Sequence, residues 1–379
     1  LILQKQTHIA GSYSNNDYDL DRFIWRSMKG IKMNPEKHLG ILAKPWEKQV
    51  NPQEMEMFWK HLFFEPQGVQ YREIPREHGE RNILPEPEDL MRLVGRLPNR
   101  SAPGNDSVPF ELYKVSSKWI VPVLMRTFQR WSKSDELLLT SNVRFLFKGK
   151  GDPKEPGSYR PITLLNTDTK ILTKWLCNHI RPNYDRWITS EQQGFHRNGW
   201  IIRNVRLLID TLSLLRVPHF HERIDDDNSG VAIILLDLAK AYDTARWDYL
   251  LETVRLLNPP DPALLFWVER LYRAHRTTIL GSTIDLPVNR GVKQGDPLSP
   301  HLFNMVIQRL FNRLRADPNI KWIWKNDGTL SAAYADDVAT YSTIASIRYI
   351  MEVLEVWSRE SGIQVNFGKS YVLIFPGKS

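Results

Sequence analysis

Cysteine is almost absent from this sequence, since Cys177 is the only one among 379 residues. An internal disulfide and a zinc site built from several cysteines are therefore excluded. The sequence has no uninterrupted run of eighteen apolar residues, no internal repeat and no low-complexity tract, so we expect no membrane partner. It begins Leu-Ile-Leu-Gln-Lys, without an initiator Met or a signal-peptide layout, and we expect it to be an excerpt of a longer polypeptide.

Positive charge and tryptophan are what the sequence has in excess. Its formal net charge is +8, and it contains 13 Trp. A basic protein suits a polyanionic partner such as nucleic acid, and Trp rings can stack on bases, although most Trp side chains belong to cores. Many soluble proteins are mildly basic, so the charge alone does not identify the partner. With 42% hydrophobic residues the chain can bury one large or two ordinary cores.

Two adjacent carboxylates, Asp336 and Asp337, stand between β-prone runs at residues 330–335 and 338–341. This pattern predicts a strand, a tight acidic turn and a returning strand. An Asp pair in a turn is usually solvated and has no further role. Two acids at a hairpin tip repel each other, however, and gain little unless a cation lies beside them.

A second stretch supplies the other half of such a cation site. Residues 231–238 form a continuous apolar run with one carboxylate, Asp237, near its end. The run predicts a strand buried on both faces. A lone Asp on such a strand is costly unless it is paired or bound to metal. Asp237, Asp336 and Asp337 together therefore suggest a two-metal carboxylate site.

The order of the motifs carries more information than any one of them. Asp237-Leu-Ala-Lys-Ala-Tyr-Asp243 is followed by Gly291-Val-Lys-Gln-Gly-Asp-Pro-Leu-Ser-Pro300 and then by Tyr334-Ala-Asp-Asp337. This series resembles the palm of a reverse transcriptase, in particular one from a non-LTR (LINE-type) retrotransposon. Gln192-Gln-Gly-Phe195 resembles another signature of that family. The segment Pro103-Gly-Asn-Asp-Ser107 resembles its Pro-Gly-x-Asp-Gly finger turn, with Ser107 in place of the last Gly.

The resemblance implies an α+β right-hand polymerase fold with fingers and palm, in which helices back a small antiparallel palm sheet. We expect residues 1–84 to be an N-terminal extension packed on the fingers or a linker, residues 85–230 the fingers and their connections to the palm, and residues 231–379 the palm. The thumb, and the endonuclease of the same polyprotein, are expected to lie outside this sequence. Apolar spacing predicts several helices, of which four have definite bounds: residues 51–64, 169–180, 201–216 and 345–361.

A glycine-rich basic turn follows a predicted strand near residue 147. Its Lys148 and Lys150, with Arg160 of the Tyr-Arg-Pro-Ile motif, provide several donors and little side-chain bulk. Alone, this pattern is typical of an exposed basic hairpin. The resemblance implies that these three side chains contact the triphosphate of the incoming nucleotide.

In the palm, the resemblance implies that Asp237 binds both metals with help from the backbone carbonyl of Leu238. Asp336 and Asp337 complete the metal site. Because neighbouring residues of a strand point to opposite faces, we expect Asp336 to be the stronger ligand of the two.

Four further palm residues receive roles from the same resemblance. The ring of Tyr242 is expected to stack under the nucleotide sugar and to exclude a 2′-hydroxyl, while Gln294 and Gly295 contact the sugar and the template base. Lys369, in the Gly-x-x-x-Asn-x-x-Lys pattern, is a candidate proton donor to the leaving pyrophosphate, or else an exposed loop lysine. Asp243 is expected to cap the following helix.

These roles describe an RNA-directed DNA polymerase that performs two-metal nucleotidyl transfer with two Mg²⁺ ions (Mn²⁺ being possible), in target-primed retrotransposition. The expected partners are an RNA template, a DNA primer or target and deoxynucleoside triphosphates, and the family implies a ribonucleoprotein of nucleus and cytoplasm. Two alternatives stay open: a group II intron-type reverse transcriptase, and a domesticated non-catalytic RNA-binding relative. Ala335 and Tyr242 disfavour an RNA-dependent RNA polymerase.

Overall fold

A computed structural model describes residues 49–64, 84–134, 137–196, 199–215, 230–273, 275–279, 285–323 and 331–376. The helices in these residues are α1 (Pro52–Phe63), α2 (Pro87–Gly95), α3 (Phe110–Val115), α4 (Ser117–Lys133), α5 (Thr167–Trp187), α6 (Ile201–Leu214), α7 (Ala241–Thr244), α8 (Trp247–Arg255), α9 (Pro262–Arg273), α10 (Ser299–Ala316) and α11 (Ile347–Ser361). The strands are β1 (Leu139–Phe147), β2 (Tyr159–Leu165), β3 (Val231–Ala239), β4 (His275–Ile279), β5 (Asp285–Leu286), β6 (Ser331–Tyr334), β7 (Asp337–Thr343), β8 (Gln364–Val365) and β9 (Tyr371–Phe375).

Strand β3 lies at the centre of a five-stranded antiparallel sheet. Strands β6, β7 and β3 are neighbours in that order, and both β8 and β9 pair with the remaining edge of β3. The continuous apolar run of β3 is buried on both faces, as predicted. The even-numbered Ile234, Leu236 and Leu238 join the largest core with helices α5 and α8–α11. The odd-numbered Val231 and Ile233 belong to a second core, against which leucines of α6 pack.

Asp237 follows on the odd-numbered face of β3, because side chains alternate along a strand. It is half-buried, whereas Val231 and Ile233 on the same face are fully buried. The strand that holds the sheet together therefore carries a carboxylate near its end, at the border of the core.

The other sheet has the strand order β2-β1-β4-β5. β1 and β2 form an antiparallel hairpin, whereas β1 and β4 are parallel. The fold is thus a mixed α+β fold, as predicted. Each of the four predicted helices is present with shifted ends: α1, α6 and α11 are shorter than predicted, and α5 is longer, ending at Trp187 although it contains Pro182. None of the helices in the described ranges is both long and apolar enough to cross a bilayer.

Helix α1 is part of this fold and is not a free linker. The side chain of Asn51 accepts a hydrogen bond from the Gln53 N–H and caps the helix, and Pro52 occupies its first turn. Its Trp59 is fully buried and stacks on Phe145 of β1, with 5.4 Å between ring centroids. Residues 1–48 and 65–83 of the predicted extension lie outside the described residues, and the domain boundaries stay a prediction.

Replacing Trp59 by Ala should destabilise the protein by about 3–5 kcal/mol, because a large ring is lost from a packed core and leaves a cavity. Denaturant unfolding of the variant and the parent measures this difference. Met57, on the same helix, is 72% exposed, so Met57→Ala is the matched control and should stay within about 0.5 kcal/mol of the parent. Equal stability losses in the two variants would contradict the docking of α1 on the sheet.

Candidate functional site

The antiparallel register places Asp237 of β3 directly opposite Asp337 of β7. Residues directly opposite in an antiparallel pair put their side chains on the same face. Strands β6 and β7 are joined by the two-residue turn of Ala335 and Asp336, with Tyr334 opposite Asp337. The structure thus brings Asp237 to the same end of one sheet as Asp336 and Asp337, which lie 99 and 100 residues further along the chain.

Asp336 lies in this turn and not on a strand. We expected Asp336 and Asp337 to point to opposite faces because they would be neighbours on one strand. That reason was wrong, since alternation applies only within a strand. What distinguishes the two residues is their place: Asp337 is fixed opposite Asp237, whereas Asp336 extends from the tip. Their relative strength as ligands stays a prediction.

Negative charge accumulates at this tip. Partial burial raises the pKa of Asp336 above its ordinary value, Asp337 and Asp237 raise it further, and Arg160 works in the opposite direction. Carboxylates that raise one another's pKa are those that a cation would stabilise in the ionised form.

The donor set fits magnesium better than a closed metal site. Among the residues that the structure describes, no three His, Cys, Asp or Glu side chains are placed to hold a metal ion by themselves. Mg²⁺ is ordinarily bound through one or two carboxylates together with water and substrate phosphates, not in an all-protein cage. Asp237 and Asp336 offer such a pair. Of Leu238 only the backbone carbonyl can contribute, because its aliphatic side chain has no ligand atom.

Asp237 is held in place by the turn between β8 and β9. The side-chain amide of Asn366 donates to Asp237 Oδ2 at 2.9 Å, and the Asn366 N–H donates to the Asp237 carbonyl at 2.8 Å. The Asp237 N–H donates to Ser370 Oγ at 3.1 Å, and Ser370 Oγ donates to the Asn366 carbonyl at 2.9 Å. Sequence reasoning quoted Asn366 without a role and missed Ser370. The Asn within the Gly-x-x-x-Asn-x-x-Lys pattern was the available signal.

The predicted basic side chains gather on the facing side. Partial burial lowers the pKa of Lys148, Asp243 raises it, and Arg160, Lys150 and Lys369 lower it. Three cations, from the β1–β2 hairpin and from the turn between β8 and β9, therefore act on Lys148. Lys148 Nζ donates to the Gly157 carbonyl at 2.9 Å, whereas Lys150, Arg160 and Lys369 are exposed. The cations and carboxylates meet where Arg160 acts on Asp336.

Lys240 joins this cluster, although sequence reasoning gave it no role. Burial lowers its pKa to about 8, Lys148 lowers it further and Asp243 raises it. Its Nζ lies 4.7 Å from the Trp59 ring centroid and 4.9 Å from that of Phe58, a cation–π arrangement. Helix α1 thereby contacts the basic side of the site.

Asp243 does not cap the following helix, contrary to the prediction. It lies inside α7, and α8 begins after Arg246 without a side-chain cap. Its buried carboxylate accepts a hydrogen bond from Gln294 Nε2 at 2.7 Å. Burial raises the pKa of Asp243 to about 6, while Gln294, Lys240 and Lys148 lower it. Asp243 is thus the buried anion that links the basic cluster to Gln294.

Gly295 lets the loop after Gln294 approach strand β2 closely. Gly295 has φ +110°, and a Cβ there would lie 2.7 Å from the Thr163 carbonyl oxygen. The Thr163 N–H donates to the Gln294 carbonyl at 2.6 Å. A residue with a side chain would be strained at this φ and would clash.

The ring of Tyr242 stacks on Phe303 of α10 with 4.3 Å between centroids. Burial, followed by Asp336, raises the pKa of its hydroxyl. Within the part of the chain that the structure describes, this buried hydroxyl has no hydrogen-bond partner. The ring is therefore a rigid wall beside the carboxylates, fixed by stacking and not by its polar atom.

Residues 150–374, which contain every site residue above except Lys148, match the model of the reverse transcriptase (RNA-dependent DNA polymerase) family. The chain belongs to the reverse transcriptase family. Among its curated relatives is the uncharacterized 149 kDa protein of transposon TX1 from Xenopus laevis, 26% identical over 76% of this chain and 22% of the relative. The Pol polyprotein of the type-2 retrotransposable element R2DM from Drosophila melanogaster is 24% identical over 92% of this chain and 33% of the relative.

A third relative, the probable RNA-directed DNA polymerase of transposon BS from Drosophila melanogaster, is 24% identical over 92% of this chain and 40% of the relative. The chain spans about a fifth to two fifths of these three relatives. A solved telomerase structure from Candida tropicalis aligns with a TM-score of 0.41 at 12% identity, over 71% of this chain and 46% of that one. The relatives confirm the non-LTR type of reverse transcriptase that the motifs predicted.

Asp243 gives this reverse transcriptase chain a testable pH dependence. The carboxyl ionises near pH 4 in an unfolded chain but near pH 6 in the folded protein. Its ionisation therefore costs folding free energy progressively as the pH rises from about 4 to about 6. Relative to Asp243→Asn, the parent should lose about 2–3 kcal/mol of stability between pH 4 and pH 7.

Urea unfolding of the two proteins at several pH values measures this change. All other titrating groups are shared by the parent and the variant. The pH dependence of the difference in their free energies of unfolding therefore reports on Asp243. A difference that does not vary with pH, or that varies in the opposite direction, would contradict the burial of an ionising carboxyl at this position.

Proposed function

We propose that this chain is the polymerase part of a non-LTR retrotransposon protein and that it copies an RNA template into DNA by extending a DNA primer. The observation that carries the proposal is the meeting of Asp237, Asp336 and Asp337 at one end of the β3 sheet, across from a cluster of cations. Carboxylates facing cations suit a reaction in which a triphosphate and divalent ions lie between them.

The two sheets have different parts in this proposal. The β3 sheet, backed by helices, is the palm, and the β2-β1-β4-β5 sheet with its basic hairpin belongs to the fingers. Residues 85–230 and 231–379 are the corresponding stretches. Strands β4 and β5 complicate a division by sequence alone, because they lie in the second stretch, whereas β4 pairs with β1 of the first stretch and β5 pairs with β4.

Divalent ions, two Mg²⁺ or in their place Mn²⁺, would be held by Asp237 and Asp336, with Asp337 and the carbonyl of Leu238 in support. When bound, such ions lower the pKa of a primer 3′-hydroxyl and neutralise charge on the triphosphate. The protein's own contribution is to fix the carboxylates before the ions arrive, and Asn366 and Ser370 do this for Asp237.

The basic cluster binds and orients the triphosphate. Lys150 and Arg160 are exposed and free to meet phosphate oxygens, while Lys148 is partly buried at the base of the hairpin. Lys369 acts electrostatically on Lys148 from the palm side and therefore lies beside the basic cluster. In this proposal it donates a proton to the departing pyrophosphate. Positive charge from several directions suits a group that gains negative charge as it leaves.

Sugar selection falls to Tyr242, and positioning of the nucleotide to Gln294 and Gly295. The stacked ring of Tyr242 leaves no flexibility to accommodate an extra hydroxyl on the sugar. The side-chain amide of Gln294 donates a hydrogen bond to Asp243. This bond fixes the orientation in which the amide would face the nucleotide.

In the whole protein, the substrates would be the element's RNA as template, nicked target DNA as primer and deoxynucleoside triphosphates. Endonuclease and thumb parts of the same polyprotein would complete the machinery for target-primed retrotransposition. A ribonucleoprotein that forms in the cytoplasm and acts in the nucleus is the corresponding location.

Replacing Asp336 by Asn should abolish primer extension, because a neutral amide cannot take the place of the ligating carboxylate, while template binding stays nearly unchanged since its phosphate contacts come from elsewhere. The assay is primer extension on an RNA template with deoxynucleotides and Mg²⁺, alongside the Kd for the template by fluorescence anisotropy. Asp210→Asn, on the exposed face of α6, is the control and should extend like the parent. Equal extension rates for Asp336→Asn and the parent would refute the assignment.

Shortening Tyr242 to Ala should raise the use of ribonucleotides relative to deoxynucleotides by roughly ten- to a hundredfold, because space opens where the 2′-hydroxyl would lie. The ratio of kcat/KM for the two nucleotide classes measures the effect. Tyr242→Phe keeps the ring and removes only a hydroxyl without a partner in the described residues, so its ratio should match the parent. If Tyr242→Phe and Tyr242→Ala shift the ratio alike, the ring is not what excludes ribose.

A further inference from the structure

Gln192, in the Gln-x-Gly-Phe signature, makes an unusual set of contacts for a buried side chain. It is fully buried. Its Oε1 accepts from the Ala335 N–H at 3.0 Å, and its Nε2 donates to the Ala335 carbonyl at 3.2 Å. Oε1 also accepts from the Gly194 N–H at 2.9 Å. One side-chain amide thus satisfies both backbone groups of the residue that immediately precedes Asp336.

Ala335 is a residue that needs such support. It is the first residue of the two-residue turn and has φ +58°, in the left-handed region. A residue with a Cβ is strained there, and turns of this kind usually place Gly at the position. Because Asp336 follows directly, any relaxation of Ala335 to a negative φ would swing the Asp336 carboxylate away from Asp237.

Residues 191–194, which carry the Gln192 amide, are called the Gln192 clamp below. Gly194 allows this clamp to approach the Ala335 backbone closely. A Cβ on Gly194 would lie 2.4 Å from the Ala335 nitrogen, a distance that no real side chain tolerates. The backbone continues the contact: the Gln193 N–H donates to the Ala333 carbonyl, and the Ala333 N–H donates to the Glu191 carbonyl, each at 2.8 Å. The Gln192 clamp therefore lies along β6 and pairs with it in the parallel direction through Gln192 and Ala333.

The clamp is itself anchored in the core. Asn304 of α10, which is fully buried, donates to the Gly194 carbonyl at 2.7 Å and to the Tyr184 hydroxyl at 2.9 Å. Glu191 is buried and paired with Arg315 at 2.6 Å. The clamp is thus attached to α10 and, through Asn304, to α5. Because these helices belong to the packed core, they can fix the position of the Ala335–Asp336 turn through the clamp.

We propose that Gln192 is a positioning residue of the polymerase reaction, which holds the Ala335–Asp336 turn in its left-handed form so that the Asp336 carboxylate faces Asp237. The proposal rests on the proposed polymerase function for its kinetic consequence. Its structural content, the tie between the Gln192 amide and the Ala335 backbone, is independent of that function.

The test compares Gln192→Met, which keeps the length of the side chain and removes all three hydrogen bonds, with Gln193→Met. Gln193 is the matched control because it is also buried, lies in the same turn, and its side chain bonds Ser190 and Trp200 instead of the hairpin, while its backbone bond to Ala333 is kept in the variant. Three measurements are made on residues 1–379: Tm, amide hydrogen exchange in residues 331–341, and kcat and KM for the deoxynucleotide.

In Gln192→Met we expect the Ala335 amide to lose protection from exchange and kcat to fall about tenfold or more, with little change in KM, because the phosphate contacts lie on the other sheet. Gln193→Met should keep the protection and the kcat of the parent at a similar Tm. In the double variant, Ala335→Gly should restore part of the kcat lost in Gln192→Met, because Gly adopts a positive φ without support.

Unchanged exchange at Ala335 in Gln192→Met would overturn the proposal, whether or not the parent polymerises. Equal losses of kcat and Tm in Gln192→Met and Gln193→Met would also overturn it, since they would indicate a general effect on folding. A parent that does not extend primers would instead refute the polymerase function, and the exchange measurement would still decide the clamp.

Discussion

The repulsion between carboxylates at the end of β3 is the constraint on which the rest of the site depends. Asp237 and Asp337 are placed opposite each other by the register of a buried sheet, and Asp336 is added by a tight turn. The free energy for this arrangement comes from burial of the apolar residues of β3 on both faces, which fixes the register, because a slip of one residue would exchange the side chains of the two faces and turn Asp237 toward the largest core. The core thus holds the charges together, and burial raises the pKa of Asp336 as a consequence.

The positive side of the site is built on a different principle. Lys150, Arg160 and Lys369 each repel Lys148, and buried Asp243 is the fixed anion beside Lys148 and Lys240. Asp243 also accepts from Gln294, so one carboxylate both offsets the lysines and orients an amide. The aromatic rings of Phe58 and Trp59 next to Lys240 also stabilise positive charge, since a ring face attracts a cation without adding a formal charge. The two halves of the site are therefore each incomplete electrostatically, and a metal-bound triphosphate between them would complete both.

The sequence allowed prediction of those features that depend on local pattern or on the family motifs. The buried strand β3, the acidic hairpin and the four helices follow from apolar spacing and turn chemistry, and the gathering of the site residues follows from the order of the motifs. The partners of Asp243 and Gln192 could not be predicted in this way, because Gln294 lies 51 residues from Asp243 and Ala335 lies 143 residues from Gln192. A polar residue in a motif gives no local sign of which distant backbone it satisfies, and Asp243 was accordingly assigned to a cap that it does not form.

Ser107 and Ala335 show why a motif glycine is not always required where the backbone is left-handed. Ser107 has φ +56° at a position where similar finger turns carry Gly, and Ala335 has φ +58°. Each conformation persists because neighbouring hydrogen bonds offset the strain: the Ser107 N–H donates to the Gly104 carbonyl at 3.1 Å, and Ala335 is held by Gln192. Gly194 and Gly104 are different, because a Cβ at either would lie 2.4 Å from backbone nitrogen. No hydrogen bond can compensate for overlap of that size. Glycines that admit a neighbouring backbone are thus fixed by volume, whereas those that only supply a positive φ can be replaced where the surrounding structure provides the support.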